Sequence, residues 1–199
     1  MKRAVILHGT SGSPEGNWLP WAKAELEAIG YEVWVPILPD NDTPNRKVYN
    51  DFLFKSGWDF TDNVVIGHSS GAVSVLNLLE DERCPHIDIG VMVGAWYDTV
   101  NSPLVDKSRF DNLFPSNGFD YELLKQKSNR LVYIHGDNDG HCPLEQAQWM
   151  AKQTDSEIIV IPNGGHLTGS AGFTDLPQLI TALESTVLND TLGLRPTND

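Results

Sequence analysis

Short apolar runs alternate with segments of helical apolar spacing along almost the whole chain. The runs are typical of β-strands, and they lie at residues 4–7, 32–38, 64–66, 87–96, 131–134 and 157–161. The helical spacing predicts α-helices over residues 17–29, 44–54, 70–79, 144–152 and 176–188. Because strands separated by helices favour a parallel sheet with helices on both faces, we expect a three-layer α/β/α sandwich with a mostly parallel sheet.

Residues 98–129 interrupt this alternation, since scattered apolar side chains stand there among polar ones over a stretch too long for an ordinary connection. This segment is either a small lid or pocket segment over a site, or a loop and a helix packed over the edge of the sheet. The length of 199 residues favours one domain. We expect that domain to span residues 1–190, with residues 191–199 as a polar C-terminal tail.

Charge and composition narrow the possible partners. The chain has 27 acidic and 14 basic residues and a net charge of −13, which argues against nucleic acid or an anionic membrane surface as a partner. We expect neither a signal peptide nor a membrane-spanning segment, because the apolar runs of the sequence are too short for either. Cys84 and Cys142 show neither metal-ligand nor disulfide-framework spacing. We therefore expect a cytoplasmic protein with free thiols, and the composition does not indicate its oligomeric state.

A sharp turn follows the strand at 64–66 and leads directly into a helix. Its sequence is Gly67-His68-Ser69-Ser70-Gly71. This is the G-x-S-x-G pattern in the context of a nucleophile elbow, where the two glycines leave room for a strained serine. Ser69 is therefore the candidate nucleophile. The alternative is an ordinary strand-to-helix turn in which the serine only caps the helix.

A serine nucleophile needs a histidine base oriented by a carboxylate, and in this fold class the chain order is serine, acid, histidine. The acid is expected after the strand at 131–134, where Asp137 and Asp139 compete. We favour Asp139 because it fits a recurring pattern of Gly, two residues, Asp, two residues, an apolar residue and Pro. Either carboxylate could instead cap the helix that begins near Pro143.

The base is expected after the last strand, where a double-glycine turn leads to His166. The alternative is a histidine in a surface turn. His141 is the rival base, but it shares a loop with Asp139 and is badly placed to bridge that acid and Ser69. We expect His141 at the pocket rim or on the surface.

Two backbone N–H groups are candidates for an oxyanion hole. They belong to Ser70, which follows the nucleophile, and to Thr10, in the loop after the first strand. The same loop could be a simple Gly/Ser turn, and it lacks the P-loop and dinucleotide-binding patterns. We expect a substrate pocket to be lined by His8, His68, Trp96, Tyr97 and Phe110. The alternative is that the aromatic residues among them belong to the core.

With these residues assembled, the chain resembles the α/β-hydrolase superfamily and, more narrowly, the small serine hydrolases related to retinoblastoma-binding protein nine and to bacterial YdeN-type proteins. The resemblance rests on Val5-Ile6-Leu7-His8-Gly9, Asn17-Trp18-Leu19-Pro20-Trp21, Gly67-His68-Ser69-Ser70-Gly71, Gly136-Asp137-Asn138-Asp139 and Gly164-Gly165-His166. It implies a Ser69–Asp139–His166 triad on a core sheet without a large cap domain. One departure is Cys142, where the family's acid loop usually carries an aliphatic residue before Pro143.

We thus expect a carboxylesterase-like serine hydrolase that cleaves an ester, thioester or small amide through an acyl-enzyme on Ser69. The expected partner is a small-molecule substrate, and no metal or organic cofactor is needed. The alternative is a non-catalytic binding or scaffold protein that keeps the same fold. A flavodoxin-like flavin protein, with residues 10–13 as a phosphate loop, is a third hypothesis.

Overall fold

A single parallel sheet organises the chain in the computed structural model, which describes residues 2–100, 102 and 105–191. Its six strands are β1 (Lys2–Leu7), β2 (Tyr31–Trp34), β3 (Val64–His68), β4 (Ile87–Val93), β5 (Ser128–Gly136) and β6 (Glu157–Ile161). Their order is β2-β1-β3-β4-β5-β6, and every neighbouring pair is parallel. The carboxyl ends of all six strands therefore meet at one edge, where ligands bind in sheets of this kind.

Helices separate the strands along the chain. They are α1 (Leu19–Ala28), α2 (Arg46–Lys55), α3 (Ser70–Leu79), α4 (Tyr121–Gln126), α5 (Leu144–Gln153) and α6 (Pro177–Thr191). Among these described helices, none combines the length and the apolar character needed to cross a membrane. The polar tail predicted for residues 191–199 lies, beyond its first residue, outside the described residues.

Two apolar clusters cover the two faces of the sheet. Successive side chains of β1 point to opposite faces, so Val5 and Leu7 join one cluster while Ala4 and Ile6 join the other. The first cluster also contains side chains from α2 to α5, namely Leu53, Leu76, Leu124 and Met150. The second contains side chains from α1 and α6, namely Leu26 and Leu179. The expected three-layer sandwich with a parallel sheet is confirmed.

Two predicted strands are longer than the observed ones. The prediction continued β2 to residue 38, but the strand ends at Trp34, and the Leu38 N–H donates to Nε2 of His8 instead of to a neighbouring strand. Pro36 has no N–H with which to continue the ladder. The prediction also continued β4 to residue 96, but the strand ends at Val93 because Gly94 takes a φ of 63°. At both places the residues beyond the observed strand end are still apolar, so the apolar pattern alone does not show where the strand ends.

The described part of residues 98–129 consists of a short 3₁₀-helix at Lys107–Phe110, turns and helix α4. Phe110, Leu113 and Leu124 are buried in the apolar cluster on the α3 side of the sheet. The described part of this segment thus packs against the core as a loop and a helix, and it also supplies four residues to the wall of a cavity, Val105, Asp106, Arg109 and Phe110. A lid movement of the same segment stays a prediction.

Candidate active site

Ser69 lies at the turn between β3 and α3 in a strained backbone conformation. Its φ is 57° and its ψ is −121°, which costs a non-glycine residue on the order of 1–3 kcal/mol. The turn is too tight for side chains on its two glycines. A Cβ on Gly67 would lie 2.1 Å from the carbonyl oxygen of Gly71, and one on Gly71 would lie 2.3 Å from that of Leu7. The Ser69 side chain makes no capping hydrogen bond, so the helix-cap alternative is wrong.

Asp139 and His166 are in direct contact at the carboxyl edge of the sheet. Nδ1 of His166 donates to Oδ2 of Asp139 at 2.7 Å, while Oδ1 of Asp139 accepts the backbone N–H groups of His141 and Cys142 at 2.8 and 3.0 Å. Burial would raise the pKa of Asp139, but these hydrogen bonds outweigh it and hold that pKa below its ordinary value. Asp139 is therefore an anion that fixes the proton of His166 on Nδ1.

Asp137, the competing carboxylate, has a different neighbour. Its Oδ1 accepts the backbone N–H of Asn163 at 2.7 Å, and the adjacent Asn138 accepts the N–H of Gly165 at 2.7 Å through its side-chain oxygen. Both contacts tie the loop after β5 to the loop that carries His166. Asp137 thus supports the position of the imidazole loop, while Asp139 contacts the imidazole itself.

Two further histidine rings flank His166. His68 is buried, its Nε2 donates to the His166 carbonyl at 2.9 Å, and the ring centroids are 5.1 Å apart. Burial and then the nearby His166 lower the pKa of His68 to about 3, so its ring is neutral. The His141 ring lies 4.9 Å from that of His166, and burial followed by the same neighbour lowers its pKa. Both neighbours are therefore uncharged packing partners of the candidate base.

His135, at the end of β5, received no role from the sequence. It is fully buried, its Nε2 donates to the Cys142 carbonyl at 2.8 Å, and the same nitrogen lies 3.6 Å from Oδ2 of Asp139. Burial lowers the pKa of His135 more than that carbonyl raises it. The neutral His135 ring therefore contacts the loop that carries Asp139 and Cys142 and helps to hold it in place. In the sequence, the only sign that His135 belongs to the site was its position at the end of a predicted strand.

The two predicted oxyanion donors lie on adjoining loops. The Thr10 hydroxyl donates to the Ser70 hydroxyl at 2.9 Å, which links the loop after β1 to the start of α3. Among the described residues, neither backbone N–H of this pair has a hydrogen-bond partner. The first N–H groups of a helix have no partner within the helix and suit an anion. Both donors are thus available at the edge of the site.

Two cavities meet at Ser69, His166 and Thr10. The larger has a volume of 280 Å³, and its walls include Trp96, Val105, Asp106, Arg109, Phe110, His141 and Cys142. The smaller has a volume of 110 Å³ and a more polar wall, which includes His8, Ser13, Asn17, His68 and Thr168. Ser69 therefore borders one chamber whose wall mixes aromatic and charged side chains and one whose wall is polar.

Tyr97 is the predicted pocket residue that borders neither cavity. Its ring packs on Trp149 with centroids 4.9 Å apart, and its backbone N–H donates to the Gln146 side chain at 2.8 Å. The other four predicted lining residues, His8, His68, Trp96 and Phe110, do border one cavity or the other.

Comparisons with known proteins identify the family and the fold. The model of the family described as Serine hydrolase matches residues 4–185. Serine hydrolase RBBP9 of Rattus norvegicus is 23% identical over 186 residues, covering 92% of this chain and 94% of that protein. The structure of the ydeN gene product from B. subtilis matches with a TM-score of 0.82 at 24% identity, over 93% of this chain and 98% of that one. Est1E from Butyrivibrio proteoclasticus matches with a TM-score of 0.66 at 17% identity, over 96% and 88%.

Proposed function

The chain belongs to the serine hydrolase family, and on that premise we propose that it cleaves a small carboxylic ester, thioester or amide through an acyl-enzyme on Ser69. The observation that carries the proposal is the hydrogen bond between His166 and Asp139, 2.7 Å long, beside a strained serine that shares two cavities with that histidine. A serine held in this way needs only a base to become a nucleophile.

The base is His166 in this proposal. Because Nδ1 carries the proton that Asp139 accepts, Nε2 keeps a lone pair and can take the proton of the Ser69 hydroxyl. The Ser69 oxygen then attacks the substrate carbonyl carbon. The imidazolium returns the proton to the leaving group, whose bond to the carbonyl breaks, and Asp139 stabilises the positive ring in the meantime.

The negative oxygen of the tetrahedral intermediate needs donors, and the N–H groups of Thr10 and Ser70 are proposed to supply them. They are fixed before reaction by the hydroxyl contact between these two residues, so no donor has to reorganise during the step. Water then attacks the acyl-enzyme with His166 again as the base.

The cavities favour a small ester over a peptide. We place the acyl group in the larger chamber, whose walls Trp96 and Phe110 suit an aryl or short alkyl group, and the leaving group in the smaller polar one. The two chambers adjoin at Ser69 and are small, with volumes of 280 and 110 Å³. The cytoplasm is the compartment we propose for this activity.

The test is steady-state hydrolysis of p-nitrophenyl acetate, butyrate and hexanoate by the wild type and two serine variants. Ser69→Ala should lose at least about a thousandfold in kcat. Ser70→Ala is the matched comparison: it keeps the backbone N–H but loses the hydroxyl contact with Thr10, so its kcat should fall far less than that of Ser69→Ala. Equal rates for Ser69→Ala and wild type, or no turnover of any ester by folded wild type, would contradict the proposal and favour a binding protein.

A further inference from the structure

The Cys142 thiol lies beside the site and takes no part in the hydrolytic mechanism. Burial, with Asp139 nearby, raises its pKa, so the thiol is protonated unless a metal ion displaces the proton. Its side chain borders the larger cavity while being only 1% exposed. Ligand atoms of Asp139, Cys142 and His166 all lie within 4.8 Å of one another. A carboxylate oxygen, a sulfur and an imidazole nitrogen thus lie close together, with Cys142 and His166 at the wall of the cavity and Asp139 behind them.

We propose that Asp139, Cys142 and His166 form an inhibitory binding site for a thiophilic divalent cation, with Zn²⁺ as the type case. Zinc takes cysteine sulfur at about 2.3 Å, histidine nitrogen at about 2.0 Å and carboxylate oxygen at about 2.1 Å in tetrahedral geometry. These bond lengths place neighbouring ligand atoms about 3.5 Å apart. Side-chain shifts of about 1 Å would bring the three groups to that spacing.

The surroundings meet the other requirements of a metal site. Oδ1 of Asp139 is held by two backbone N–H groups, whereas Oδ2 accepts the Nδ1 proton of His166, which a cation would displace, so Oδ2 is the oxygen that a cation would bind. The larger cavity provides the entry path and room for a water or a substrate atom as the fourth ligand. Hard cations such as Mg²⁺ prefer several oxygen ligands in octahedral geometry and do not suit this mixed set.

Binding would switch off the base by changing its tautomer. The cation occupies Nδ1 of His166, and the proton formerly on Nδ1 is then carried on Nε2. The Cys142 thiol gives its proton to the solvent, so one proton is released for each cation bound. With Nε2 protonated, His166 has no lone pair for the Ser69 hydroxyl. This inhibitory effect rests on the proposed function, whereas the binding itself does not.

Cobalt(II) provides a test that needs no turnover. A thiolate bound to Co²⁺ gives a charge-transfer band in the near ultraviolet, which we expect when Co²⁺ is added to the wild type. The band should be lost in Cys142→Ser and in Cys142→Ala, the second variant serving if a buried hydroxyl prevents folding. Cys84→Ser is the matched control: Cys84 is also buried, but its thiol contacts the Pro85 carbonyl instead, and this variant should keep the band.

Zinc affinity and inhibition complete the test. Competition with a chromophoric chelator should give a Zn²⁺ dissociation constant at least tenfold weaker in either Cys142 variant. Zn²⁺ should inhibit the wild type, Mg²⁺ should not, and the inhibitory Zn²⁺ concentration should rise at least tenfold in the Cys142 variants. A cobalt band or Zn²⁺ affinity unchanged by both substitutions would overturn the site. Full turnover with Zn²⁺ bound would overturn the inhibition. If wild type lacks turnover, the proposed function fails while the cobalt band still decides the site.

Discussion

Replacement of Asp139 by Asn separates the orienting role of the carboxylate from its structural role. The Asn side-chain oxygen can still accept the two backbone N–H groups that Asp139 accepts at 2.8 and 3.0 Å. The amide nitrogen then faces Nδ1 of His166, which lies 2.7 Å from the carboxylate in the wild type. Two donors cannot share that contact, so the imidazole proton moves to Nε2 and the base is lost.

The expected loss is about 10⁴-fold in kcat, the size reported for the same change in a serine protease triad, and this equals about 5.5 kcal/mol in the activation barrier. KM should change little, because the Asp139 side chain is fully buried and borders neither cavity. The assay is ester hydrolysis under saturating substrate, with thermal unfolding as a check on the fold.

Asp137→Asn is the matched control. Within the described part of the chain, its side chain accepts the Asn163 N–H alone, and an Asn oxygen can keep that bond. We expect less than about a threefold change in kcat, as for most exposed substitutions. An orienting role for Asp139 is ruled out if Asp137→Asn loses as much turnover as Asp139→Asn, or if Asp139→Asn keeps more than a tenth of the wild-type rate.

Three other changes test the fold and the cavity. Gly71→Ala should cost about 3 kcal/mol in urea unfolding, because its Cβ would lie 2.3 Å from the Leu7 carbonyl oxygen; a loss under about 1 kcal/mol would contradict this. The pKa of His68 falls from 6.5 unfolded to about 3 folded, so the unfolded state gains a proton first as pH drops below 6.5. Wild type should therefore lose about 3 kcal/mol from this group between pH 7 and pH 4, and His68→Gln should not; equal losses in urea titrations would refute it. Phe110→Leu should raise kcat/KM for hexanoate relative to acetate about threefold or more, and an unchanged ratio would remove Phe110 from the acyl chamber.

The fold was predictable where burial is uniform along an element. All ten residues of α3 are buried, and its predicted bounds, residues 70–79, agree with Ser70–Leu79. Strand β6 also agrees with the predicted 157–161 although its burial is uneven, because four consecutive β-branched residues mark it as a strand. Strand ends were less predictable, because apolar character continues through Pro36 and past Gly94, where backbone conformation rather than polarity ends the strand.

The site was predictable only as far as strand ends determine it. Ser69, His166 and the two aspartates follow three strands of the sheet, so the sequence could place them at one edge. The choice between Asp137 and Asp139 depends on the path of a loop, which is fixed by contacts with residues 163–166 far along the chain.

Tyr97 shows the same limit for side-chain direction. It follows β4 at the edge of the site, yet its ring turns toward Trp149 on α5 and away from the cavities. The contact with Gln146, on the same helix, holds its backbone there. The residues around Tyr97 do not predict these contacts, because Gln146 and Trp149 lie about 50 residues further along the chain.

Labelling of the intact protein with a fluorophosphonate probe, read by mass spectrometry, tests directly whether Ser69 is an activated nucleophile. We expect one probe on wild type, located at Ser69, no labelling of Ser69→Ala, and strongly slowed labelling of His166→Ala. Labelling of Ser69→Ala at the wild-type rate, or no labelling of folded wild type, would contradict an activated serine at the turn between β3 and α3.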